Sequence, residues 1–243
     1  MKPTFKYLFL FLAIALAAAC NNSAPEGEKV ESGEAVEESP ATENLGSISY
    51  AVNTGKSYIT WVGAKAFTGT RHTGKVYLQD GLLSVDNGQL TGGSFTINMT
   101  SLEDTDLEGE KKQKLETHLK SGDFFEVEKF PAADFVITSV EAVNDSTSKV
   151  THRITGNLTM KDISRSITIP AQVSLAQSEM SALTPSFVID RTEWDVMYNA
   201  GVLGTAKDNI IKDEVSLQIM LIANPQKAAN TPAEEETTEE PVQ

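Results

Sequence analysis

Residues 151–161 read "THRITGNLTMK". His152, Ile154, Gly156, Leu158 and Met160 share one parity, and Arg153, Thr155, Asn157, Thr159 and Lys161 share the other. Successive side chains of a strand point to opposite faces, so this alternation places one face on a core and the other in water. The same period-two pattern recurs on both sides of the stretch. "SFTINM" (94–99) sets Phe95, Ile97 and Met99 on one face, and Phe135 and Ile137 share a parity in "DFVIT". "SITIPAQVSL" (166–175) offers Ile167, Ile169, Val173 and Leu175; "EVSLQIMLI" (214–222) offers Val215, Leu217, Ile219 and Leu221. "SYITWVG" (57–63), with Ile59 and Trp61, and "GKVYLQDGLLSV" (74–85) are further strands. Turn signals such as "DNG" at Asp86–Gly88 separate these short runs, which favours an antiparallel sandwich or closed barrel.

One segment breaks the alternation. "LEGEKKQKLETHLKSGDFF" (107–125) has acids early and lysines later, with Leu115 and Leu119 four residues apart. Charge order and spacing predict one substantial helix closed by Gly122. Leu115, Leu119, Phe124 and Phe125 are expected to lay it over an end or a seam of the barrel.

The chemistry that the chain does not carry narrows its function. It has no G-x-S-x-G elbow, P-loop, dinucleotide-binding glycine pattern or H-E-x-x-H. His72, His118 and His152 lack metal-ligand spacing, so no metal and no catalytic set is expected from sequence, which reads as a non-enzyme. His152 falls on the apolar face of its strand, as a histidine at a strand end does. Arg191 in "SFVIDRTEWDV" (186–196) follows Phe187 and Ile189 in parity. It either meets an anionic headgroup or closes a buried or rim salt bridge with a neighbour; Trp194 and Tyr198 read equally well as packing residues.

The ends of the chain differ from its middle. Lys2 and Lys6 precede the apolar run "YLFLFLAIALAAA" (7–19), which has the layout of a secretory signal and is shorter than the ~20 apolar residues of a spanning helix. Cys20, the only cysteine, follows it. "LAAAC" (16–20) resembles the lipobox of bacterial lipoproteins, with Ala17 where a large residue is usual. The resemblance implies that Cys20 carries lipid. Residues 20–46 and 224–243 are rich in Glu, Pro, Ser and Thr and poor in large apolar residues, a composition expected to stay solvated. They bracket a domain at 47–223, and 1–19 is the expected signal. With a net charge of −14 and no basic cluster, a nucleic-acid partner is not expected.

Taken in order, "HLKSGDFFEVEKFPAADFVITS" (118–139), "GNLTMKDISRSITI" (156–169) and "IDRTEWDV" (189–196) resemble the YceI-like family of exported bacterial proteins. The likeness covers nearly all of residues 48–223. It departs from the usual pattern at "TWVGAKAFTGTRHTG" (60–74), where Lys65 stands near the usual histidine. What the resemblance implies is an all-β, lipocalin-like antiparallel barrel with one helix, enclosing an apolar cavity. It also implies an amphiphilic, polyprenyl or quinone-like lipid as ligand and no cofactor. On that reading the inward residues line the cavity: Ile59, Trp61, Phe95, Ile97, Met99, Phe135, Ile137, His152, Ile154, Leu158, Met160, Phe187, Ile189 and Arg191. The expected role is a lipid-anchored carrier or sequestering protein. It would be held to the outer membrane, because Asn21 replaces the aspartate of inner-membrane retention, and would face the periplasm or cell surface. The alternative is a non-catalytic interaction or stress-related structural lipoprotein with a filled barrel. The oligomeric state is left open.

Cys20→Ser tests the anchor. The substitution is expected to convert a membrane-associated protein into a soluble or uncleaved one, because stable anchoring takes more than one acyl chain and a lipidated cysteine supplies several. Identical fractionation of cleaved wild type and variant would refute the lipidation.

Overall fold

The computed structural model of the chain describes residues 26–37, 47–143, 149–176, 178–201 and 206–226. The leader, Cys20 and residues 227–243 lie outside the described residues. In chain order the elements are β1 (Glu28–Lys29), β2 (Gly33–Glu34), β3 (Ile48–Val52), β4 (Tyr58–Ala64), β5 (Arg71–Asp86) and β6 (Gln89–Asp104). Helix α1 (Gly109–Lys120) follows, then β7 (Ala132–Ala142), β8 (His152–Met160), β9 (Ile163–Leu175), β10 (Met180–Leu183), β11 (Phe187–Asp190) and β12 (Glu214–Pro225). Short 3-10 turns span Arg191–Trp194 and Lys207–Asn209.

The alternating segments close into a ring. One edge of β12 pairs with β11 (Leu217 opposite Phe187) and β10 (Ala223 opposite Met180). Its other edge pairs with β4 (Leu217 opposite Trp61) and β3 (Ala223 opposite Val52). From β10 the order runs through β9, β8, β7, β6 and β5 back to β3 and β4, all antiparallel. The result is an antiparallel barrel. Residues 224 and 225 belong to β12, so the folded unit runs slightly past the expected boundary at 223.

The strands are not all short. β5 and β6 each run 16 residues, joined through Asn87 (φ 50°) and Gly88 (φ 77°), the two positive-φ positions of a tight hairpin turn. Register shifts between Lys75 and Tyr77, Leu78 and Asp80, and Ser84 and Val85 break the ladder. Bulges of this kind bend and twist a strand, and let so long a hairpin wrap round the barrel.

α1 forms where the charge order predicts it, but its end differs. Ser121, not Gly122, is the C-cap, with extended backbone (φ −75°, ψ 174°). Its N–H and Oγ both donate to His118 O, at 3.1 and 2.8 Å. The left-handed position of the turn is Glu126 (φ 48°), whose N–H donates to Ser121 O.

The larger correction concerns the acidic segment expected to be solvated from 20 to 46. Within it, residues 26–37 are bound to the barrel. β9 pairs with β10 only over residues 172–175, and β11 leaves its outer edge unpaired by β9. This seam takes up the N-terminal segment: β1 adds in parallel to β11, and β2 adds antiparallel to β9 at Ser166 and Arg165. Val30 is buried and its N–H donates to Val188 O at 2.8 Å. Ser216 Oγ donates to Glu26 O at 2.6 Å. Asn157, which its parity turns outward, is only 4% exposed because residue 36 covers it. Its Nδ2 donates to Val36 O (2.7 Å) and its Oδ1 accepts from Val36 N–H (3.0 Å). Composition misses this strap because it is held mainly through backbone groups, which any side-chain type supplies.

Asn157→Ala is therefore expected to cost about 1–3 kcal/mol in urea unfolding. Removing residues 21–37 should destabilise at least as much. The two changes together should cost no more than the truncation alone, because they remove the same contact. An unchanged midpoint in the truncated protein would detach the strap from the fold.

Candidate functional site

The barrel interior is packed at one end and hollow at the other. Tyr50, Leu83, Val85, Leu90, Ile154 and Met180 fill the end near the β5–β6 turn. Beyond the ring pair Phe95–Phe135 (centroids 5.3 Å apart) a cavity of about 530 Å³ opens towards α1. Gly156 sits on the inner face of β8, where an added Cβ would lie 2.5 Å from Phe135 Cζ and 2.6 Å from Val136 O. The missing side chain makes room for the Phe135 ring. The glycine in the alternating stretch thus belongs to the wall geometry.

Of the residues expected inside, Ile59, Trp61, Phe95, Ile97, Met99, Phe135, Leu158, Met160, Phe187, Ile189 and Arg191 line this cavity. Ile137, Ile154 and His152 do not. Ile154 is buried in the core, Ile137 packs half-buried against it, and His152 lines a separate hollow beside Gly88 and Leu90. The reason is position along the strand. At ~3.3 Å per residue, His152 is about 20 Å along β8 from Leu158. Burial lowers the His152 pKa, and its Nδ1 lies 2.8 Å from Thr151 Oγ1.

The mouth is built by segments without alternation, so parity gave no access to it. Leu115 and Leu119 of α1, with Phe124 and Phe125 just after it, cover the opening as their spacing predicts. Tyr198 joins them: its ring lies 4.6 Å from the His118 ring and 5.0 Å from Phe124. His118 Nε2 pairs with Asp123 Oδ2 at 2.9 Å. Lys65 also lines the cavity, half-buried, and has no ion-pair partner among the described residues.

Arg191 differs from Lys65. It is 4% exposed, and its guanidinium donates to Lys212 O (Nε, 3.1 Å), Ile211 O (Nη2, 3.3 Å) and Val196 O (Nη1), and pairs with Asp213 (3.4 Å). Burial lowers its pKa, while Asp213 and Asp190 oppose that shift. Burial likewise raises the Asp213 carboxyl against the pull of Arg191. With these partners Arg191 ties the 3-10 turn to the start of β12. Of the two readings open from sequence, the salt bridge describes it, with the guanidinium buried. Trp194, fully buried with Nε1 donating to Leu158 O at 2.9 Å, is a packing residue.

At the rim, His72, Asp104 and Asp106 come together. His72 Nδ1 lies 3.2 Å from Asp106 Oδ2, and Asp106 Oδ1 accepts from Thr73 N–H at 2.7 Å. Asp104 is fully buried, and its Oδ1 accepts from the N–H groups of Asp106 (3.1 Å) and Leu107 (2.6 Å). Burial above all, with the neighbouring Asp106, raises the Asp104 pKa. Asp106 is lowered: burial opposes this, but Thr73 N–H, Asp104 and His72 outweigh it. Asp104 Oδ2 and Trp61 Nε1 are the two buried side-chain polar atoms without a hydrogen-bond partner among the described residues. They flank Gly74, which pairs with Trp61 on one side and Asp104 on the other.

Comparison with known proteins follows the same outline. The family model of the YceI-like domain matches residues 50–223. A UPF0312 protein of Pseudomonas aeruginosa is 40% identical over 78 residues, 32% of this chain and 35% of that protein. The chain thus spans about a third of the length of the curated relatives it matches. Among solved structures, Burkholderia cenocepacia BcnA superimposes with a TM-score of 0.53 at 20% identity, over 71% of this chain and 99% of that one. A polyisoprenoid binding domain from Saccharophagus degradans does so with a TM-score of 0.52 at 11% identity, over 73% and 98%. Both likenesses are of fold.

Arg191→Leu leaves three carbonyls and Asp213 without their donor. It is expected to cost about 3 kcal/mol in urea unfolding, with Arg191→Lys restoring less than half, because an ammonium cannot span the same acceptors. A loss below about 1 kcal/mol would remove the structural role given to Arg191 here.

Proposed function

The chain belongs to the YceI-like domain family, and from that premise we propose that it binds the apolar chain of an amphiphilic lipid, isoprenoid or acyl, within the barrel. The observation that carries this reading is the cavity of about 530 Å³ walled by Ile97, Met99, Leu158 and Phe187. Small-molecule pockets typically span ~300–1,000 Å³ with mostly apolar walls and a few polar groups. Here the polar groups collect at the mouth: Lys65, His118, Tyr198 and Asn209. The lipid chain lies inward and its head lies under α1, with Lys65 as the cation for an acidic head. The polyisoprenoid binding domain of similar fold supports an isoprenoid as one such chain.

A filled barrel acting only as an interaction module fits a hollow interior poorly. Catalysis also draws little support. His152 and Arg191, whose meeting would favour an enzyme, lie in different hollows, and Arg191 has its donors engaged.

Lipidation of Cys20 and a place at the outer membrane complete the proposal. The strap gives them a geometric consequence. With residue 26 already docked on the barrel, it stands only six positions along the chain from Cys20. At ~3.3–3.6 Å per residue, the barrel is held within roughly 20 Å of the anchor instead of swinging on a long tether. That suits a protein that takes up or releases lipid at a membrane surface.

Ile97→Trp tests the cavity. An added ring in a close-packed core costs about 1–3 kcal/mol, whereas in an open cavity it occupies ligand space. The variant is expected to fold, to carry less lipid after gentle extraction, and to melt like delipidated wild type, since a ligand bound only to the native state stabilises it. Unchanged lipid content would move this face away from the ligand. A midpoint far below delipidated wild type, with no lipid in either protein, would refute the binding reading.

A further inference from the structure

We propose that His72, Asp104 and Asp106 form a site for one divalent first-row transition-metal ion at the rim of the barrel. His72 comes from the start of β5, Asp104 ends β6, and Asp106 follows in the turn that leads into α1. One donor atom from each lies within 4.8 Å of the other two. His72 also lines the cavity, which puts the ion at its wall.

Three acidic and imidazole groups near one another are common; the unpaired oxygen is what distinguishes this cluster. Asp104 is 0% exposed, and its Oδ2 has no hydrogen-bond partner while Oδ1 is fully engaged by two backbone N–H groups. A buried carboxylate oxygen left unpaired is costly, and a second carboxylate beside it adds repulsion. A positive species between the two carboxylates removes both penalties, and the choice is a proton or a cation. The imidazole favours the cation. A nitrogen and two carboxylate oxygens make a mixed donor set that suits Zn2+ or its first-row neighbours, whereas Mg2+ and Ca2+ take oxygen ligands. With bond lengths of ~2.0–2.2 Å, neighbouring donors round a tetrahedral Zn2+ stand roughly 3.4 Å apart. The 3.2 Å between His72 Nδ1 and Asp106 Oδ2 matches that span. Ligation through Nδ1 leaves the imidazole proton on Nε2, so a neutral His72 can bind the ion without a net loss of its proton. Three protein donors leave at least one coordination position for water or another ligand.

The test uses the full chain, stripped with EDTA and titrated with Zn2+ by calorimetry beside His72→Ala and Asp104→Asn. Wild type is expected to bind one equivalent more than His72→Ala, with a Zn2+-dependent rise in melting midpoint that the variants lose. Asp104→Asn should weaken the site at least tenfold. Co2+ should give a visible ligand-field band in wild type alone. If Asp104→Asn fails to fold, His72→Ala, at a half-exposed side chain, decides. Equal stoichiometry and equal midpoint shifts in wild type and His72→Ala would assign the uptake to the acidic segments and overturn the site. No uptake at all, with Asp104→Asn as stable as wild type, would assign the two carboxylates a shared proton and overturn it too. None of these outcomes depends on lipid.

Discussion

The structure depends on the closure of the sheet along β12. This strand presents one edge to β10 and β11 and the other to β3 and β4. Once it is in place, each long strand has a neighbour on both sides over much of its length, and the sheet acquires an inside. A register slip of one residue would turn every inward side chain out, so the alternation along β8 and β6 and the closure at β12 specify each other. The join is also made late along the chain: β3 and β4 wait for residues 214–225. The strap follows from the same constraint. Where β10 stops and β11 begins, the ring has a seam, and the backbone of residues 26–37 supplies the groups that β9 and β11 otherwise leave unpaired.

Closure alone does not make a cavity. The packed end holds large side chains from facing strands that meet across the axis, among them Tyr50, Leu90 and Met180. At the other end α1 spans the opening, and its leucines reach the hollow from above rather than filling it. The Phe95–Phe135 pair marks the change, and Gly156 permits it. A binding role rests on this division of one barrel into a core and a container.

The polar groups of the rim fall into two kinds. Arg191 is buried and engaged by three carbonyls and a carboxylate, so its charge serves the fold. Among the described residues Lys65 and Asp104 are incompletely engaged, one without an ionic partner and the other with an oxygen unpaired. Incomplete engagement of a buried or half-buried polar group is where a ligand or an ion contributes most.

The sequence by itself determined the inward face of the long alternating strands and the existence of helix α1. Both depend on periodicities that a dozen residues display, as in His152–Met160 and in Leu115 and Leu119. It carried the family through the order of its motifs. Tertiary structure alone decided the rest. Ile97 and Ile154 alternate equally well and are both buried, yet only Ile97 lines the cavity, because distance along the barrel axis is not a property of parity. The strap was illegible because its glutamates describe solvent affinity while its attachment is made by backbone N–H and C=O groups. His72 and Asp104 are 32 positions apart, and only the bulged β5–β6 hairpin brings them side by side. Local pattern reports which way a side chain points; only the closed sheet, through long-range pairing, reports what it meets there.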